Sequence, residues 1–118
     1  MLRSAAPEAW ARALSLAADR RRGSVLIHCA QGKDRTGVLA ALLQHAAGDL
    51  EGEIVESYAA SEALLAGRPR PEAEGRASGG VDWSALRGAP AIAMTGTLQW
   101  LRQEYGAVDL FLEQASDW

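Results

Sequence analysis

Ser24-Val25-Leu26-Ile27-His28-Cys29-Ala30-Gln31-Gly32-Lys33-Asp34-Arg35-Thr36-Gly37 is the stretch on which the reading of the whole chain turns. Its opening segment, Ser24 to His28, is short, β-branched and apolar on both faces, the pattern of a buried strand in a parallel sheet. Cys29 to Arg35 reads as a polar turn. From Thr36 to about Ala47 the spacing becomes helical, with Leu39, Leu42, Leu43 and Ala46 on one face and Gly48 as the stop. Strand, tight loop and helix in that order form the βα unit of an α/β fold.

Upstream, Pro7 to about Asp19 predicts a helix with proline suited to its first turn and Trp10, Ala13, Leu14 and Ala17 along one stripe. Arg20, Arg21, Arg22 and Gly23 supply a cationic end and a stop. Downstream, Glu51 to Ala66 predicts a helix with the stripe Ile54, Tyr58, Ser61, Leu65. Residues 67–80 hold no apolar side chain larger than alanine and read as a polar loop. Val81, Trp83 and Leu86 re-anchor the chain before a helix from Ala91 to Tyr105, striped by Met94, Leu98, Leu101 and Tyr105. A short helix from Val108 to Ala115 then buries Phe111 and Leu112. These stripes, and Trp10, Trp83, Trp100 and Trp118, are read as packing rather than as binding platforms. The expected architecture is therefore α/β but mostly helical, in one domain over residues 1–118. One strand cannot pair with itself, so the domain is expected to be partial, its sheet completed by a partner chain or a missing N-terminal half.

A chain of 118 residues is about one ordinary domain, and 48% hydrophobic with 23% charged residues is a globular composition. A net charge of −3 argues against general nucleic-acid affinity, yet it leaves room for a small phosphorylated substrate at one local site. Cys29 is the single cysteine, so no internal disulfide forms, and together with His28 and His45 it is too thin a set for a closed zinc site. No metal and no cofactor is expected. A reducing, cytoplasmic setting fits a free thiol. The longest apolar runs, such as Val38 to Leu43, fall far short of the roughly 18 residues that span a bilayer, and Met1-Leu2-Arg3-Ser4 lacks a signal-peptide core. Of the 12 basic residues Lys33 is the sole lysine, and it lies in the decisive stretch.

A loop running from a strand end into a helix N-terminus turns successive backbone N–H groups inward, where the helix dipole adds positive potential. Gly32 and Gly37 permit the backbone angles and the close approach such a cradle needs. Arg35 closes the ring with a two-pronged donor matched to phosphate oxygens. The same field depresses the Cys29 pKa, placing a thiolate nucleophile beneath a bound phosphate. A lone cysteine beside a helix start is ordinarily structural. At average residue usage, however, the set His28, Cys29, Gly32, Arg35, Thr36, Gly37 arises by chance on the order of once in a million cysteines.

These residues resemble the His-Cys-x5-Arg-Ser/Thr signature of the cysteine-dependent tyrosine phosphatase superfamily. The run Gly32-Lys33-Asp34-Arg35-Thr36-Gly37 is similar to the atypical branch of bacterial and fungal tyrosine and phosphoinositide phosphatases. Ile54-Val55-Glu56-Ser57-Tyr58-Ala59-Ala60-Ser61 looks like that branch's Ile-x-x-Asp-Tyr-x-x-Ser helix, with Ser57 in place of the aspartate. Tyr105-Gly106 and Phe111-Leu112 resemble its C-terminal helices. The resemblance implies the C-terminal part of a three-layer phosphatase fold. It implies Cys29 as nucleophile through a phosphocysteine, Arg35 with the amides of Ala30, Gln31, Gly32, Lys33 and Asp34 as the phosphate cradle, and Thr36 as hydroxyl donor to the leaving sulfur. His28 and Gly37 would order the loop, and Lys33 would add positive charge at the rim. Upstream carboxylates are limited to Glu8 and Asp19, both read as solvated charges on the first helix, so Asp34 is the expected general acid and then base.

The implied substrates are phosphotyrosine, phosphoserine or phosphothreonine on a protein, or a phospholipid headgroup. The alternative is a truncated or non-catalytic phosphate-binding module. A rhodanese-like sulfur transferase typically has a shorter Cys-to-Arg spacing, and no Gly-x4-Gly-Lys-Ser/Thr nucleotide loop occurs. His45, on the helix after the loop, is read as packing or surface. Arg68, Arg70 and Arg76 are read first as solvated loop charges. A low-pKa Cys29 is expected to oxidise to a sulfenic acid or a backbone sulfenamide.

Overall fold

The computed structural model describes residues 7–67 and 88–115. The segments carrying Arg68, Arg70, Arg76, Val81, Trp83, Leu86 and Trp118 lie outside them.

The chain opens with α1, Pro7–Ala18. Asp19 lies past its end and caps a 3-10 turn, Arg20–Arg22, accepting from the Arg21 N–H at 3.0 Å and from the Arg21 Nε at 3.0 Å. Asp19 is therefore a surface cap between two helical elements rather than a residue of the first one. Gly23 ends the turn at φ +72°. After it, Ser24–His28 forms no strand. These residues adopt neither helix nor ladder, and Val25 and Leu26 are 45% and 84% exposed. The physical reason is the missing neighbour: an apolar segment without a second strand has no partner for its N–H and C=O groups. Every regular element among the described residues is helical.

The polar turn leads into α2, Arg35–Ala47, which starts one residue earlier than its apolar pattern suggests. Its buried face is Val38, Ala41 and Leu42, with Leu39 and Leu43 half-buried and Ala46 exposed, so the helix is rotated from the expected stripe. Gly48, left-handed at φ 95°, closes α2 by donating to the carbonyls of Gln44 and His45. Helix α3, Glu51–Ala66, follows, its first turn tied by Glu53, whose carboxylate accepts from the Leu50 N–H at 2.9 Å. Helices α4, Ala91–Tyr105, and α5, Val108–Ala115, complete the described chain.

The helices close into a ring of contacts: α2 packs on α3, α3 on α4, α4 on α5, and α5 returns against α2 and α1. Leu14, Leu42, Ile54, Met94, Leu98 and Leu101 are fully buried where these faces meet, joined by Trp10, Val108, Phe111 and Leu112. The stripes read on α1, α3, α4 and α5 are the ones that meet here, because each has apolar residues on a 3.6-residue period. Tyr105 stacks edge-on against Phe111 at 5.0 Å between ring centres, bracing the tight α4–α5 corner at Gly106. Among the described residues, side-chain contacts also cross between helices. Arg102 meets Glu51 at 2.7 Å, and His45 meets Asp109 at 2.8 Å, so His45 ties α2 to α5.

Leu101→Ala is expected to lower stability by about 2–5 kcal/mol, whereas Leu64→Ala, on the exposed side of α3, changes it by less than about 0.5 kcal/mol. Denaturant titration followed by circular dichroism measures both.

Candidate active site

The candidate site is the turn between the irregular segment 24–28 and the first turn of α2. Gly32 sits at φ +71°, a backbone region that other L-residues rarely adopt, and bends the chain between Cys29 and α2. Asp34 stands at the N-cap position of α2, but its carboxylate does not cap the helix, and the Val38 N–H donates to its backbone carbonyl at 2.9 Å. The uncapped first turn leaves N–H groups facing the loop.

Cys29 is half-buried at the centre of this turn. Burial alone pushes its thiol up. The Thr36 hydroxyl, the Thr36 N–H and the N–H groups of Gly32 and Gln31 outweigh it and bring the pKa down from 9.0 to about 6. The donors that do this are the loop and the helix start themselves. Arg35, exposed at the first position of α2, is not among them. The Thr36 hydroxyl is buried, and although near enough to the sulfur to favour its thiolate, it completes no hydrogen bond with the neutral loop. The Gln31 side-chain carbonyl is likewise buried without a partner.

Lys33 departs furthest from its expected place. It lies only 5% exposed, away from the rim, and its ammonium donates to both carboxylate oxygens of Asp34 at 2.9 Å. The Asp34 side chain is half-exposed. Ala30 is exposed beside the cysteine, and His28 is exposed with no hydrogen bond to its ring among the described residues. Gly37 lies inside α2, where the ring of Tyr58 from α3 packs so closely that a Cβ on Gly37 would stand 2.9 Å from its Cδ2. The loop thus brings together Cys29, Gln31, Gly32 and Thr36 around one sulfur and sets Lys33 and Asp34 as a pair beside them.

Tyr58 is the neighbour that loop-based reasoning left among packing residues. The available signal was its position on the same α3 face as buried Ile54, four residues away. No cluster of His, Cys, Asp or Glu among the described residues is arranged to hold a metal ion, and no helix there is long and apolar enough to cross a membrane.

The whole chain, residues 1–118, matches a protein family described as the Tyrosine phosphatase family. It is also similar to a protein named Tyrosine-protein phosphatase from Nostoc commune, 47% identical over 57 residues, or 48% of this chain and 19% of the relative. The chain thus aligns with about a fifth of that relative's length. No solved structure gives a significant match.

Because Cys29 is the single cysteine, iodoacetamide alkylation reports it directly. The rate should rise with pH around a midpoint of about 6, and Thr36→Val should move that midpoint up towards 9.0. The linkage has a definite sign. A thiol whose folded pKa is depressed adds stability that is fully present above the unfolded pKa and lost as pH falls through the folded one. Relative to Cys29→Ser, the wild type is expected to gain stability between about pH 6 and pH 9.

Proposed function

The chain belongs to the tyrosine phosphatase family, and on that premise we propose that it hydrolyses phosphate monoesters, phosphotyrosine first, through a phosphocysteine formed at Cys29. The observation that carries this reading is the Cys29 thiol, held at about 6 by the amides and hydroxyl at the entrance to α2. At neutral pH such a sulfur is a thiolate, and the same N–H groups suit phosphate oxygens.

In the first displacement the Cys29 sulfur attacks phosphorus, the S–P bond forms, and the bond to the leaving oxygen breaks. Asp34 delivers the proton that this oxygen needs. Arg35 and the amides of Ala30, Gln31, Gly32, Lys33 and Asp34 hold the equatorial oxygens as charge redistributes over them. In the second displacement a water attacks phosphorus, passes a proton to Asp34, and the P–S bond breaks. The Thr36 hydroxyl, buried without an oxygen or nitrogen partner, supplies a hydrogen bond to the departing thiolate. Lys33 donates to both Asp34 oxygens, so in the acid role one oxygen stays on the ammonium and holds the carboxyl in place while the other carries the proton to the leaving group.

Lys33 also bears on substrate choice. With its ammonium occupied by Asp34, the exposed cation of the loop is Arg35, which favours a single aryl phosphate over a multiply phosphorylated headgroup. We read the helices as the C-terminal part of a phosphatase-type three-layer α/β domain in which residues 24–28 join a sheet. The exposure of Val25 and Leu26 supports a partner for them, supplied by another chain or by sequence outside the described residues. A cytoplasmic, reducing setting suits a free low-pKa thiol.

Cys29→Ser is expected to cut nitrophenyl phosphate turnover by about a thousandfold or more, while a chelator leaves the wild type unaffected. Full turnover by Cys29→Ser would overturn the covalent route. Asp34→Asn should slow an alkyl phosphate by about a hundredfold but nitrophenyl phosphate far less, because only the poor leaving group depends on the proton. Equal losses on the two esters would remove Asp34 from the acid role.

A further inference from the structure

Lys33 presents a physical problem. An ion pair with a half-exposed carboxylate does not by itself hold a long, flexible side chain in one place, because solvent and side-chain entropy cancel most of its Coulomb gain. Yet Lys33 is almost wholly buried, with both Asp34 oxygens on its ammonium. Something else must fix the geometry.

The neighbour in the right place is Tyr58. It projects from α3, whose Ile54 is fully buried in the core, towards the first turn of α2. Its ring takes the space where a Cβ on Gly37 would lie, 2.9 Å from Cδ2 and 3.2 Å from Cε2. Gly37 follows Asp34 by three residues, so the ring bears on the turn through which the loop enters the helix. Burial, first, and then the Asp34 carboxylate push the Tyr58 hydroxyl's ionisation up, Lys33 pulls it down, and Glu62 pushes it up again. The hydroxyl therefore lies within the field of both members of the pair and stays neutral there. As a neutral group it does not repel the carboxylate as a second negative charge would.

We propose that Tyr58 is a positioning residue for the phosphate loop: its ring, seated on Gly37, keeps Lys33 buried on Asp34 and so sets where the Asp34 carboxylate stands beside Cys29. The glycine and the tyrosine act as two halves of one contact. A side chain at position 37 would lift the ring, and loss of the ring would free the loop to move outward. The consequence for leaving-group protonation rests on the phosphatase reading, whereas the burial of Lys33 does not.

Lys33 is the sole lysine, which makes the test direct. Competitive acetic anhydride labelling of the full chain, read by mass spectrometry, follows the Lys33 amine apart from the N-terminus. Tyr58→Leu should label Lys33 about tenfold faster than wild type, while Tyr58→Phe, which keeps the ring, and Leu98→Ala, which loosens the core elsewhere, stay within about twofold. Gly37→Ala approaches the same contact from the other side and should reproduce the rise if Tyr58→Leu does not fold. Unchanged labelling in Tyr58→Leu or Gly37→Ala, or an equal rise in Leu98→Ala, overturns the proposal.

The kinetic arm separates positioning from chemistry. Tyr58→Leu should lower kcat on an alkyl phosphate several-fold more than on nitrophenyl phosphate with little change in KM, and Tyr58→Phe should restore both. Equal losses on the two esters would overturn the link from Tyr58 to Asp34. If the wild type hydrolyses neither ester, the phosphatase reading fails, and the labelling result still decides whether Tyr58 holds the loop.

Discussion

The gathering of N–H groups around one sulfur at the start of α2 is the constraint on which the candidate site depends. A helix start leaves backbone donors without internal partners, and the loop from Cys29 to Asp34 bends so that Gln31, Gly32 and Thr36 direct theirs at the thiol. That convergence is strong enough to overcome the burial that would otherwise keep the sulfur protonated. It requires the start of α2 to be held in place, and Val38, Ala41 and Leu42 bury that helix in the core. Loop chemistry and core packing meet in the same helix.

The core is arranged to hold that start in place. α2 is flanked by α3 on one side and by α1 and α5 on the other, and each flank carries a specific tie. His45 reaches Asp109 across the α5 contact, and Tyr58 meets Gly37 across the α3 contact. The absence of a side chain at Gly37 is thus an interhelical packing requirement as much as a loop property. The outward side of the segment preceding Cys29 is different. Val25 and Leu26 are exposed, so the segment directly before the cysteine is open while α2 after it and α1 before it are packed into the core.

Much of this was legible in the residues themselves. The amphipathic stripes of α1, α3, α4 and α5 are the faces that became the core, since period and burial follow from the same helix geometry. The α2 stripe was displaced because Val38, Leu39, Leu42 and Leu43 present apolar surface over a broad arc, and only the positions of α3 and α5 choose which part of the arc faces inward. The strand read at Ser24–His28 is not formed in this chain, for an opposite reason. A strand is a relation between segments, and its apolar letters describe a demand for neighbours that the described chain does not meet.

The sequence by itself determined the chemical inventory: one cysteine, a loop of small and polar residues, an arginine six positions on, and a threonine at the helix entrance. Local spacing suffices there because the groups that tune the sulfur are backbone amides and a hydroxyl within a few residues of it. Tertiary structure alone decided the disposition of Lys33 and the role of Tyr58. A flexible lysine has no preferred direction along the chain, so whether it lines the rim or is buried on Asp34 depends on what packs over it. The tyrosine that packs beside that turn lies more than twenty residues further on, brought there by the core.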